Sequence, residues 1–161
     1  MNFNIRHSIL LATVYMMTML TAYAQESAKI EETVSEIVTR YETIKGVECM
    51  KVVKGRGLEM VKMMFNKEFG KDFMKGVTSI TIIEYSDSSP ETCQALRGEL
   101  DVFLSMLEEF TFSDEEKFSG NDYIRCFASA SDSTTISDFV IALESEDSKM
   151  IMYMAGKIKV E

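Results

Sequence analysis

The sequence is nearly free of histidine and contains no tryptophan. Its 161 residues include one histidine, His7. Histidine is the commonest general base and the commonest metal ligand near neutral pH. Because His7 lies in a segment that we expect to be cleaved, the mature chain has no Ser-His-Asp or Cys-His site of its own, and zinc lacks its usual imidazole ligands. We therefore favour a protein that is not an enzyme and has no cofactor.

Proline is equally scarce, since Pro90 is the only one. It follows the polar run Ser86-Asp87-Ser88-Ser89. A proline fits the first turn of a helix, where its missing N–H has no partner, and Ser89 is well placed to cap that turn. Apolar residues spaced by three and four then predict a helix from Pro90 to about Phe110.

The longest apolar run, residues 9–20, is too short to span a bilayer, which takes roughly 20 residues. Arg6 precedes this run, and Ala22-Tyr23-Ala24 follows it as a small-x-small motif. This combination predicts a secretory signal peptide over residues 1–24, cleaved near Ala24/Gln25. We expect a periplasmic or secreted protein without a transmembrane segment after cleavage. A lipid anchor is not indicated, because no cysteine lies at the cleavage site.

The sequence has fewer basic than acidic residues. The chain has 17 basic and 26 acidic residues, a net charge of −9. A surface this acidic repels nucleic acid and anionic membranes, so we expect neither as a partner.

Cysteine is limited to Cys49, Cys93 and Cys126, an odd number that allows at most one internal bridge. A bridge between Cys49 and Cys126 is a candidate, since both lie in predicted strands and export permits oxidation.

The apolar periodicity predicts the element order α, β, α, β, α, β, β, β. The predicted helices span 26–44, 58–69 and 90–110; the predicted strands span 47–54, 77–85, 123–129, 136–144 and 150–160. Residues 111–122 are acidic and predict a solvated connection. Right-handed crossovers place helices on one face of a mixed five-stranded sheet that ends in an antiparallel meander. We expect a two-layer α+β sandwich, a single domain over residues 25–161.

The meander resembles a domain-of-unknown-function family of small exported proteins and lipoproteins from Bacteroidetes-type bacteria. The resemblance lies in residues 136–143, Ile-Ser-Asp-Phe-Val-Ile-Ala-Leu, and in Met150 to Met154 followed by Ala155-Gly156-Lys157-Ile158. It extends more loosely over residues 47–85. The chain departs from many members by lacking the lipidated cysteine. The resemblance implies a fold and an envelope location, and it supplies no catalytic residue.

Two groups of residues are candidates for binding. Lys54-Gly55-Arg56-Gly57 lies between a predicted strand and helix, where backbone N–H groups can hold an anion, although a tight turn also explains both glycines. Met150, Met152 and Met154 fall on one side of a strand, and Met60, Met63 and Met64 lie together on a helix. Thioethers can bind Cu(I), fill an irregular core or form a protein-binding surface. Since the helix 58–69 is apolar on more than one side, it is either deeply buried or has an exposed adhesive side.

The acidic residues cluster in turns and on helix faces, notably Glu108 and Glu109, residues 114–116 and residues 144–147. We interpret them as solvated. The favoured function is a non-catalytic protein-binding or structural module of the cell envelope. The alternative is a small-molecule or anion-binding domain, or an enzyme that uses carboxylates. A third option is a Cu(I)-binding protein.

Overall fold

The computed structural model describes residues 26–110, 123–131 and 135–159. The predicted signal peptide with its cleavage site and the predicted connection 111–122 lie outside these ranges. The described helices are α1 over residues 26–41, α2 over Arg56–Phe69 and α3 over Pro90–Leu104. The strands are β1 Glu48–Val53, β2 Gly76–Glu84, β3 Glu108–Phe110, β4 Tyr123–Ala128, β5 Ala130–Ser131, β6 Thr135–Glu144 and β7 Lys149–Lys159. The α+β class is thus confirmed.

The strands form one sheet in the order β1-β2-β7-β6-β4-β3, with the short β5 paired to β6. The three-stranded terminal meander is present as β4, β6 and β7. The prediction of a mixed five-stranded sheet is wrong, because every pairing is antiparallel and β3 adds an edge strand. Helix α2 runs about 21 Å away from the end of β1, and residues 70–75 bring the chain back, so β2 starts beside the end of β1.

Helix α3 begins as predicted but ends earlier. Pro90 occupies its first turn, and the Ser89 hydroxyl accepts a hydrogen bond from the Thr92 N–H at 3.2 Å. The helix stops at Leu104, although the apolar spacing continues through Leu107. The chain then enters β3, where the Arg125 guanidinium binds the Glu109 carboxylate through two hydrogen bonds of 2.8 and 2.9 Å. This bidentate pair holds the edge strand β3 to β4.

Apolar side chains are buried on both faces of the sheet. Helices α1 and α3 pack on one face, where Phe103 meets Tyr153 edge-on with ring centroids 6.3 Å apart. This agrees with the predicted helical layer. Helix α2 differs, since its Leu58 belongs to the cluster on the opposite face, together with Ile80 and Met154. The described residues cover that second face only in part.

A buried polar network interrupts the apolar core at Asp138. This residue is 1% exposed and has a positive φ of 50° at a bulge between Ser137 and Phe139. The Tyr153 hydroxyl donates to one carboxylate oxygen at 2.8 Å, and the Ser129 hydroxyl donates to the other at 2.9 Å. These two bonds tie β7 and the end of β4 to the bulge of β6, so they fix the register of the meander.

Two glycines provide a matched test of this backbone. Gly156 has a φ of +108°, and a Cβ there would clash with the Gly76 carbonyl oxygen on β2. Gly98 lies in α3 and a Cβ there would meet no atom within 4 Å. We expect Gly156→Ala to destabilise the fold by about 2–4 kcal/mol. We expect Gly98→Ala to stabilise it by about 0.5–1 kcal/mol. Urea denaturation of the two variants measures both effects, and equal stabilities would contradict the described β2–β7 contact.

Candidate binding surface

Helix α2 has apolar residues on two opposite sides. Its inner side places Leu58, Val61 and Phe65 against the sheet, and Leu58 is 3% exposed. Its outer side carries Met60, Met63 and Met64, which are 60%, 68% and 62% exposed. Helix α2 is therefore not deeply buried on all sides, because packing its inner side on the sheet leaves the methionines of the outer side exposed.

The three methionines and two cations form a continuous stripe, which we call the methionine ridge: Arg56, Met60, Met63, Met64 and Lys67. At about 100° per residue, these five positions fall within an arc of about 100° on the outer side of α2. Arg56 and Lys67 are exposed. The ridge is about 16 Å long from its first residue to its last.

The ends of α2 hold the helix on the sheet. Lys54 and Gly55 have positive φ values of 56° and 89°, so the chain turns sharply from β1 into the helix. Gly70 ends it with a φ of 114°. The Asn66 side-chain oxygen then accepts a hydrogen bond from the Met74 N–H at 2.8 Å, and Met74 is fully buried. The return segment 70–75 is thereby anchored in the core, which orients the methionine ridge outward.

In the structure, the predicted anion motif, Lys54 to Gly57, forms a tight turn. All four residues are exposed, and a Cβ at Gly55 would meet no atom within 4 Å. The turn is thus open to solvent, and the anion-site hypothesis for Lys54 and Arg56 stays a prediction. Arg56 is also the first cation of the methionine ridge.

The three methionines of β7 share the sheet face that α2 covers, but their burial differs. Met154 is fully buried in the second apolar cluster, whereas Met150 and Met152 are partly exposed. Met152 lies across from Ile82 of β2 and Ile141 of β6. The buried Met154 fills the core, and the Cu(I) hypothesis, which uses all three thioethers, gains no support from this arrangement.

All three cysteines are free, so the candidate bridge between Cys49 and Cys126 is not formed. The two residues lie on β1 and β4, which are separated by three strands, and they pack against opposite apolar clusters. The sequence shows only that both lie in strands, and strand order decides their separation. Burial raises the pKa of the Cys126 thiol to about 11.

A cleft of about 300 Å³ lies where the turn after α1 meets the turn after β2. Four exposed carboxylates line it: Glu42, Glu48, Glu84 and Asp87. Glu48 and Glu84 are directly opposite each other on β1 and β2. Within the described ranges, no three His, Cys, Asp or Glu side chains are grouped so that they could hold a metal ion. The cleft is thus a solvated acidic surface.

Among the other acidic groups, Glu108, Glu146 and Asp147 are exposed, and two have ion-pair partners. Glu109 binds Arg125, which lowers the pKa of the Glu109 carboxyl. Glu144 pairs with Arg97 of α3. Residues 114–116 lie outside the described ranges. These described acidic groups therefore lie at the surface, as the prediction of solvated acidic residues requires.

Sequence reasoning missed the network of Asp138, Tyr153 and Ser129. The available signal was Asp138 itself, an acidic residue in the otherwise apolar run from Ile136 to Leu143. Burial, the negative charge of Asp138 and their hydrogen bond together raise the pKa of Tyr153. Since Asp138 and Tyr153 are 1% and 2% exposed, the network stabilises the fold and is closed to a substrate.

The raised pKa of Tyr153 gives the fold an alkaline limit. In the unfolded chain this phenol ionises near pH 10, whereas in the folded chain it stays protonated. The stabilisation is complete below about pH 10 and decreases above it, by up to about 1.4 kcal/mol per pH unit. Tyr153→Phe is expected to remove this part of the slope, as measured by urea denaturation between about pH 9 and 11. An unchanged slope would contradict the described burial of the Tyr153 hydroxyl.

No helix in the described part of the chain is long and apolar enough to cross a membrane. Comparison with known proteins found no matching family model, no matching curated protein and no matching solved structure. The resemblance of the meander to a family of exported proteins therefore stays a prediction.

Proposed function

We propose that the protein is an exported, non-catalytic module of the cell envelope that binds an envelope component through the methionine ridge. The observation that carries this proposal is the exposure of Met60, Met63 and Met64, each at least 60% exposed on a helix whose other side is buried. Surface methionines in such a group are costly to leave in water and mark interaction sites.

Three features of the chain support this function over catalysis. The mature sequence has no histidine after the predicted cleavage site. The described cavity is lined by exposed carboxylates. Among the described residues, the one fully buried carboxylate, Asp138, is bonded to Tyr153 and Ser129. Methionine is suited to an adaptable contact surface because its side chain is unbranched and polarisable.

Site-specific photo-cross-linking tests the proposal. A photoreactive residue at position 63 is expected to cross-link to an envelope component, because this side chain is 68% exposed at the centre of the ridge. Val102 on α3 is the matched control, since it is 67% exposed on the opposite side of the sheet. Gel analysis of the cross-linked envelope fraction measures both.

The ridge hypothesis also predicts the effect of mutation on the cross-link. Met60→Gln and Met64→Gln together should weaken the cross-link from position 63 at least several-fold, while leaving the urea midpoint nearly unchanged, because exposed side chains contribute little to stability. Equal cross-linking from positions 63 and 102, or none from position 63, would contradict the proposal.

A further inference from the structure

The charge of the protein is distributed very unevenly. Residues 51–75, which contain α2 and its flanking turns, have seven basic and three acidic residues, a local charge of +4. The whole chain has a net charge of −9. Residues 26–50 carry −3 and residues 76–110 carry −6, and these contain α1 and α3. Apart from Lys51, which lies 3.7 Å from Glu31 of α1, the positive segment and the acidic helices lie on opposite faces of the sheet.

The cations of the positive segment bracket the methionines. Lys54 and Arg56 lie before Met60, and Lys67 and Lys71 lie after Met64; all four are exposed. None of the four makes an ion pair with another described residue. The nearby acidic residues are partly neutralised, because Glu59 lies 3.7 Å from Lys62 and Asp72 lies 3.7 Å from Lys75. The ridge therefore combines apolar tips with free positive charge at both ends.

We propose that the methionine ridge docks on the surface of an anionic lipid membrane. This inference rests on the proposed function and names its envelope component. Exposed apolar side chains enter the boundary between headgroups and acyl chains, and lysine and arginine side chains beside them contact anionic headgroups. A single helix on a sheet is convex, and the acidic cleft described above lies elsewhere, so the ridge suits a broad surface better than an inserted segment.

The acidic remainder of the protein does not oppose this contact strongly. The acidic layer, which is formed by α1 and α3, and the helix α2 pack on opposite faces of the sheet. Since packed layers lie roughly 10 Å apart, the acidic layer lies roughly 20 Å from the ridge. Charges separated by more than about 8 Å are largely screened at physiological ionic strength. The same asymmetry orients the protein, because an anionic surface attracts α2 and repels α1 and α3.

Vesicle binding by the mature chain, residues 25–161, tests the proposal. Co-sedimentation compares vesicles of phosphatidylcholine alone with a mixture of about three parts phosphatidylcholine and one part phosphatidylglycerol, at low and high salt. We expect binding to the anionic vesicles, little binding to the neutral ones, and release at high salt. Arg56→Gln with Lys67→Gln should weaken binding about 25-fold, roughly five-fold for each cation.

A charge-matched control separates the ridge from net charge. Lys29→Gln with Lys45→Gln removes two exposed lysines from α1 and the turn after it, and should change binding less than two-fold. Met60→Gln with Met63→Gln should also weaken binding, and circular dichroism confirms that each variant is folded. Equal effects of the two lysine pairs, or equal binding to both vesicle types, would overturn the proposal.

Two further outcomes distinguish other occupants. If vesicles are not bound but position 63 cross-links to a protein, the lipid inference fails and the proposed function stands. If sedimentation velocity shows a dimer that Arg56→Gln with Lys67→Gln abolishes, and vesicles are not bound, the ridge binds the acidic layer of a second copy and the lipid inference is overturned. If neither vesicles nor cross-linked components are bound, both proposals fail.

Discussion

The architecture depends on β7, a central strand with apolar side chains on both of its faces. Tyr153 and Ala155 point into the layer of α1 and α3, while Met154 and Ile158 point into the cluster that contains Leu58 of α2. A sheet with two apolar faces has to be covered twice. Two helices cover the first face, and one helix with its return segment covers part of the second.

The exposure of the methionine ridge follows from that unequal cover. A lone helix on the second face needs a fully apolar inner side to seal the core, and the outer side of α2 is then free to carry another pattern. In this protein the pattern is methionine bracketed by cations. The sharp turn at Lys54 and Gly55 and the anchoring of Met74 by Asn66 set the rotation of the helix, so the same contacts that complete the core also expose the ridge.

Local features of the fold could be predicted from the sequence, but strand polarity and strand order could not. Pro90 and Ser89 place the start of α3, and the alternation along Phe139, Ile141 and Leu143 places a strand of the meander. The polarity of β2 depends on the path of residues 70–75, which has no periodic pattern. The sequence did not predict the early end of α3, because Leu107 continues the helical spacing of apolar residues. In the structure Leu107 is buried in the core, although it lies in the turn after the helix.

For the candidate site too, local features could be predicted from the sequence, whereas features that depend on packing between distant segments could not. The sequence shows that α2 has two apolar sides, but only the packing of Leu58 shows which side is exposed. The net charge of −9 is an average over the chain and conceals the positive segment 51–75. Likewise, Cys49 and Cys126 both lie in strands, yet the sheet order separates them by three strands.

Methionine oxidation tests the central claim most directly, because it reports each thioether separately in the unmodified protein. Sulfoxide formation follows exposure, so mass spectrometry after brief peroxide treatment should show rapid oxidation of Met60, Met63 and Met64 and slow oxidation of the fully buried Met74 and Met154. Addition of envelope membranes should then protect the three ridge methionines selectively. Slow oxidation of the ridge in the free protein, or oxidation that membranes leave unchanged, would contradict the account.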